Sequence, residues 1–376
     1  MKLFVLILTA SMMLSTFIES FKTTLPEQVD SSLITEESQV TTSTINGSIS
    51  EETISVEDIL TQPIPDENVE IAESTTQVQD ESTNNSSLLT VNNLGDSTLK
   101  VYNSDYVIPE ELSTKISNII SKYDKLDIGV YAISLKDYTC IGYNESQSIF
   151  TASAVKGPYA LYVVKEIANG NHNFDEELTY TKEFLNTGSG DIKYYEYGSK
   201  FTVKELLIKM INRSDNVAFL MLQDHFGYEG YNEMIKQLGC NTWLNGYTKW
   251  GNFTAEELAI LWNEIYNFSK VSDEGAFLLD LLIKAEYNFI KTELGRYSKV
   301  AHKSGFNPDA YNDGAIIFAE SDLNPELGTP NDYILAIMTS PGNSGYNHYC
   351  LKALSIAIDD IMRDLALYQN GQDLAL

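Results

Sequence analysis

The sequence predicts an α+β fold: one sheet whose strands come from both ends of an ordered region, with an all-helical lobe inserted between them. Two β-rich runs lie early, at 127–134 and 138–143, and three lie late, at 297–302, 314–319 and 333–339. The chain between the two groups is dominated by helical periodicity. Two strands, a block of helices and three strands is not the strand–helix alternation that builds a parallel α/β sheet.

The elements follow in order. Order begins near Val107. Glu110 to Lys122 sets Leu112, Ile116, Ile119 and Ile120 at helical spacing. Asp127 to Ser134 and Tyr138 to Tyr143 read as strands, and Leu135-Lys136-Asp137 between them suits a hairpin. Helical patterning then covers Ser153 to Asn169, Thr202 to Ile211, Asn216 to Phe226, Tyr231 to Leu238 and Thr254 to Phe289. Thr202 with Glu205 three residues on is a capping box, in which each side chain satisfies an N–H that the first helical turn leaves free. Gly, Pro, Asn and Asp separate the three late strands, and a helix from Asn347 to about Tyr368 closes the fold. Residues 106–370 are therefore expected to form one domain.

Two segments precede it. Residues 1–20 carry Lys2, an apolar run from Leu3 to Leu8 continuing to Ile18, and then Glu19. That is the pattern of a signal peptide, or of an N-terminal anchor if it is not cleaved. Residues 21–105 are rich in Ser, Thr, Glu, Asn and Gln, with sixteen Asp and Glu against Lys22 and Lys100. So polar a stretch cannot bury enough apolar surface to offset its conformational entropy, and a disordered linker is expected. A secreted protein or one held at the bacterial cell surface follows, with cell-wall association a natural use of such a spacer.

The formal charge of −28 repels polyanions and excludes a nucleic-acid partner. Cys140, Cys240 and Cys350 are too widely spaced for a disulfide framework or a metal site, and are read as buried thiols with at most one disulfide. His172, His225, His302 and His348 show no metal-ligand spacing, so neither metal nor cofactor is expected. A monomer is expected.

Three short motifs carry chemistry. Ser153-Ala154-Val155-Lys156 puts an amine beside a hydroxyl, because residues three apart share a helix face. A serine needs such a base to become a nucleophile, and a desolvated lysine can serve. Ser214-Asp215-Asn216 lies in a loop between two helices, and Lys303-Ser304-Gly305 ends a late strand. Singly these are a chance S-x-x-K, a helix cap and a strand terminus.

Together, and in this order on helix, loop and strand, they resemble the S-x-x-K, S-D-N and K-[ST]-G set of class A β-lactamases and penicillin-binding proteins. The likeness covers most of 106–370 and implies a five-stranded antiparallel sheet flanked by helices plus a helical lobe. It also implies roles. Ser153 is acylated, Lys156 takes its proton, and Ser214 passes that proton to the departing nitrogen. Asn216 binds the substrate amide and orients Lys156, while Lys303 and Ser304 bind the substrate carboxylate. Gly305 keeps the strand edge clear, and the N–H groups of Ser153 and Phe306 form an oxyanion hole.

The likeness breaks at the base that frees the acyl-enzyme. Class A β-lactamases hold a glutamate on a loop between the second and third motifs, whereas Leu238 to Asn252 contains no carboxylate. Glu256 and Glu257 come next, in a first helical turn where a capping role is expected. Carboxylate-binding arginines are not evident either, Arg296 and Arg363 being the nearest to the last motif. The expected protein is a serine hydrolase acylated at Ser153 by β-lactams or D-Ala-D-Ala-type peptides, with slow deacylation. Two alternatives remain open. One is an active class A-like β-lactamase with a rearranged deacylation base. The other is a non-catalytic surface binding module using aromatic stretches such as Tyr194 to Tyr197 and Trp243 to Trp250.

Overall fold

The architecture is taken from a computed structural model that describes residues 88–94, 97–286, 289–319, 329–341 and 345–371. The expected signal segment, and the linker as far as residue 87, lie outside the described residues.

Among the described residues the sheet is antiparallel throughout, with seven strands rather than five, in the order β1-β2-β4-β3-β11-β10-β9. The two additional strands are β1 (Leu88–Leu94) and β2 (Ser97–Tyr102). The linker boundary expected at 105 therefore moves upstream. β2 pairs with β4 (Cys140–Tyr143), setting Val101 opposite Ile141, and Leu99 and Val101 are fully buried. The polar average over 85 residues concealed this short alternation of apolar and polar positions. Glu145, just past β4, clamps the addition: Lys100 reaches it at 2.8 Å, and the Tyr102 hydroxyl also donates to it.

Helix α1 (Glu110–Lys122) precedes β3 (Asp127–Ser134), which forms the expected hairpin with β4. The other central strands are β9 (Val300–Asn307), β10 (Ala310–Ile317) and β11 (Tyr333–Ser340). Their period-2 alternation feeds two cores. Tyr131 and Ile133 of β3 with Ile334, Ala336 and Met338 of β11 face the helical lobe. Val130, Ala132, Tyr333, Leu335 and Ile337 face the other way, among Ile116 of α1 and the residues Leu354 and Ile358 near the chain's end.

In the lobe a short strand β5 (Ile149–Phe150) leads to α2 (Lys156–Ala168). The pair β6 (Glu177–Thr179) and β7 (Lys200–Thr202) comes next. Helices α3 (Val203–Asn212), α4 (Asn216–Phe226) and α5 (Glu229–Gln237) follow, and β8 (Asn252–Phe253) pairs with β5. The capping box predicted at Thr202 and Glu205 opens α3.

The long helix expected over 254–289 is broken into α6 (Ala255–Ser269), α7 (Asp273–Lys284) and the start of α8 (Phe289–Leu294). The break is local, since the Ser272 hydroxyl accepts the Gly275 N–H as a new N-cap. Apolar periodicity continues on both sides, so a sequence window cannot see it. α9 (Gly345–Gln369) closes the chain. All three cysteines are buried and unbridged.

Candidate active site

Ser153 lies in a 3-10 turn, Ala152–Val155, that runs straight into α2. Non-helical backbone enters this turn, with Ala152 at φ +46°. Such a conformation costs on the order of 1–3 kcal/mol and persists only where the surroundings dictate it. Here they do. Thr151 N–H donates to Gly251 O at 3.1 Å, and Asn312 Nδ2 holds Phe150 O at 2.8 Å and Thr151 O at 3.1 Å. Asn312 is fully buried on β10, and its own Oδ1 accepts from Thr339 N at 3.1 Å. The sequence reading missed it, because a lone Asn in a strand pattern carries no signal until the sheet places it behind the nucleophile.

Gly305 completes the clamp. A β-carbon there would lie 2.5 Å from Ala154 N and 2.7 Å from Ser153 N. The close approach that requires glycine is thus made by the backbone of the turn that carries the nucleophile, with Thr151 O nearer still. β9 also continues beyond the expected end at His302, through the whole third motif to Asn307. Polar Lys303 and Ser304 ended the apolar pattern but not the hydrogen-bonded ladder, which pairs Lys303 with Gly314 and Phe306 with Tyr311.

Lys156 is fully buried at the start of α2. Its Nζ donates to Asn216 Oδ1 at 2.6 Å, Ser214 O at 2.6 Å and Ser214 Oγ at 3.3 Å. Lys303 Nζ reaches the same Ser214 Oγ at 3.1 Å, and Ser304 O at 2.8 Å. One hydroxyl therefore bridges two amines. Burial holds the Lys156 amine well below its ordinary range, the Lys303 charge adds to the effect, and Asp215 opposes it. Burial likewise pushes Lys303 down to about 8, against Asp313 and Glu286.

Ser214 takes φ +51°, a left-handed conformation that turns its hydroxyl toward both lysines. Asp215 fixes that bend. Its Oδ1 caps α4 through Val217 N (2.8 Å) and Ala218 N (3.0 Å), and its Oδ2 accepts from Asp191 N (2.7 Å) and Ile192 N (2.9 Å). The 186–192 loop is thereby drawn over the site. Asn216 Nδ2 donates to Asn186 Oδ1 at 3.0 Å, and Asn216 N to Ser189 O at 3.0 Å.

The resulting cleft, of about 180 Å³, is lined by Ser153, Ser189, Ser214, Lys303, Ser304 and Phe306 among others. Lys156, Asn216 and Gly305 support it from behind. All eight residues singled out in the sequence thus converge. The cleft also gains Arg213, beside the second motif, whose guanidinium is ion-paired with Glu286, another lining residue. Arg296 instead pairs with Glu293 at 3.4 Å. The exposed aromatics Tyr194, Tyr197, Trp243 and Tyr247 do not line the cleft.

Neither helix-start glutamate lines the cleft. Glu257 completes a capping box with Thr254, and also accepts from Asn241 N (2.6 Å), Thr242 N (3.0 Å) and Thr242 Oγ1 (2.7 Å). Glu256 is raised above the ordinary carboxylate range, by burial first and then by Glu145 and Glu257.

A family model described as "Beta-lactamase enzyme family" matches residues 111–361. The chain is 26% identical over 252 residues to the β-lactamase VEB-1 of Pseudomonas aeruginosa, covering 61% of this chain and 81% of that protein. Its fold is similar to that of PBP-A, with TM-score 0.60 and 22% identity over 68% of this chain and 98% of that one. It is also similar to a β-lactamase from Sphaerobacter thermophilus, with TM-score 0.56 and 20% identity over 70% and 98% of the two chains. The chain belongs to the β-lactamase enzyme family and is a serine hydrolase.

Proposed function

We propose that Ser153 forms an acyl-enzyme with β-lactams or with D-Ala-D-Ala-type peptides, and that this intermediate is hydrolysed slowly. The observation that carries the reading is the Ser214 hydroxyl, within hydrogen-bond reach of two buried lysine amines at the mouth of a cleft that also holds Ser153. Neutral Lys156 takes the Ser153 proton as Oγ attacks the amide carbonyl. The N–H groups of Ser153 and Phe306 receive the developing oxyanion. Ser214 hands a proton to the departing nitrogen, while Lys303 and Ser304 hold the substrate carboxylate and Asn216 its side-chain amide.

Slow release follows from what surrounds the site. The 238–252 segment has no carboxylate, Glu257 is committed to backbone amides, and Glu286 is paired with Arg213. Export to the cell surface, on the apolar segment 1–20 and the acidic linker after it, is part of the same proposal.

Intact-mass spectrometry after addition of benzylpenicillin, followed over time, tests the chemistry. One adduct per chain is expected, located on Ser153, persistent, and absent from Ser153→Ala. Absence of both an adduct and penicillin hydrolysis on the wild type overturns the acylation reading. Rapid turnover with no accumulating adduct overturns slow release.

A further inference from the structure

The chain's histidines lie far apart in sequence, yet folding brings two of them onto one carboxylate. Glu176 Oε2 lies 3.0 Å from His172 Nδ1 and 2.7 Å from His225 Nε2. All three ligand atoms fall within 4.8 Å of one another. We propose that His172, Glu176 and His225 form a binding site for a divalent transition ion of the zinc class.

The cluster is built rather than accidental. The other carboxylate oxygen, Oε1, is held by Asn173 N at 2.8 Å and Asn173 Nδ2 at 3.2 Å. That grip turns Oε2 toward both imidazoles, as outer hydrogen bonds orient the ligands of metal sites. Phe226 steadies the rings, its centroid 4.4 Å from that of His172 and 5.0 Å from that of His225. An ion bonded to three tetrahedral ligands at 2.0–2.1 Å needs them about 3.3 Å apart, so Glu176 Oε2 must move outward from 3.0 and 2.7 Å while the two imidazole nitrogens, within 4.8 Å of one another, adjust to the same spacing. Two imidazoles with one carboxylate favour zinc and its neighbours over calcium or magnesium, which take oxygen ligands. Each ligand is a quarter to a third exposed, leaving the fourth position to water.

The site's place in the fold gives it a purpose. His172 lies just beyond the end of α2, and His225 lies in the last turn of α4. The opposite ends of these helices carry Lys156 and Asn216, joined at 2.6 Å. The ion would staple the far ends of the two helices that aim the proton-transfer groups, about 14 Å along α4 from the cleft.

The test titrates ZnCl2 into chelator-treated full-length protein by calorimetry, with melting temperature and visible Co2+ absorption as further readouts. One equivalent should bind, raise the melting temperature, and give Co2+ the intense bands of four-coordination. His172→Gln and His225→Gln should each weaken binding by more than the roughly 10–100-fold that follows loss of an outer-shell partner. Both variants should still be labelled by penicillin, which shows that they fold. No stoichiometric binding to the wild type, or unchanged binding in either variant, overturns the site and leaves a carboxylate shared by two imidazoles.

Discussion

The α-carbon of Gly305 faces the backbone nitrogen of Ser153 so closely that a β-carbon would sit 2.7 Å from it, so one methyl group separates a working nucleophile from a displaced one. Gly305→Ala should lower stability by about 1–3 kcal/mol, the usual cost of overpacking. It should also slow penicillin acylation on the order of 100-fold, as a misplacement near 1 Å does. Denaturant unfolding and the rate of adduct formation check the two parts. Unchanged acylation would show that the turn carrying Ser153 moves freely.

The two buried lysines predict a bell-shaped pH profile for acylation. In the proposed mechanism Lys156 acts as the neutral amine, so the rate should rise as pH rises through its lowered pKa. In the same mechanism Lys303 binds carboxylate as the cation, so efficiency should fall as pH rises through about 8. Removing the second charge with Lys303→Met relieves Lys156 and should move the acid limb to higher pH. A limb that stays put, or moves down, removes the coupling between the two amines.

Asp215→Ala should cost about 2–4 kcal/mol, since three buried N–H groups and one half-buried one lose their acceptor and α4 loses its cap. The carboxylate also favours the charged form of Lys156, so its loss should shift the acid limb of acylation to lower pH. Thermal unfolding and the pH profile read the two effects separately.

Glu256→Gln and Glu257→Gln should leave the lifetime of the penicilloyl adduct unchanged, because both carboxylates lie outside the cleft lining. Glu257→Gln alone should lower stability, by about 1–2 kcal/mol, through its cap and its bonds to Asn241 and Thr242. A clear lengthening of the adduct lifetime in either variant would identify a deacylation base.

The family was legible because each motif is short, ordered along the chain and borne by an element with its own periodicity. Lys156 follows Ser153 at a fixed helical offset, and Lys303 sits on an apolar strand. Contacts between distant segments left no such trace. Asn312 and Arg213 acquire their roles only when β10 and the end of α3 close around the turn at Ser153. His172 and His225 meet only because α2 and α4 finish side by side. Length-averaged composition also failed where order is local, which is how Leu99 and Val101 were taken for linker.

The strand that contains them has a practical consequence. β2 covers the backbone edge of β4, and Leu99 and Val101 fill the core beneath it. An expression fragment started at residue 106, where the composition changes, would leave the N–H and C=O groups of β4 open to pairing with any neighbouring chain. Such a fragment would keep every catalytic group and still precipitate, whereas one begun upstream of Leu88 would carry its own seal.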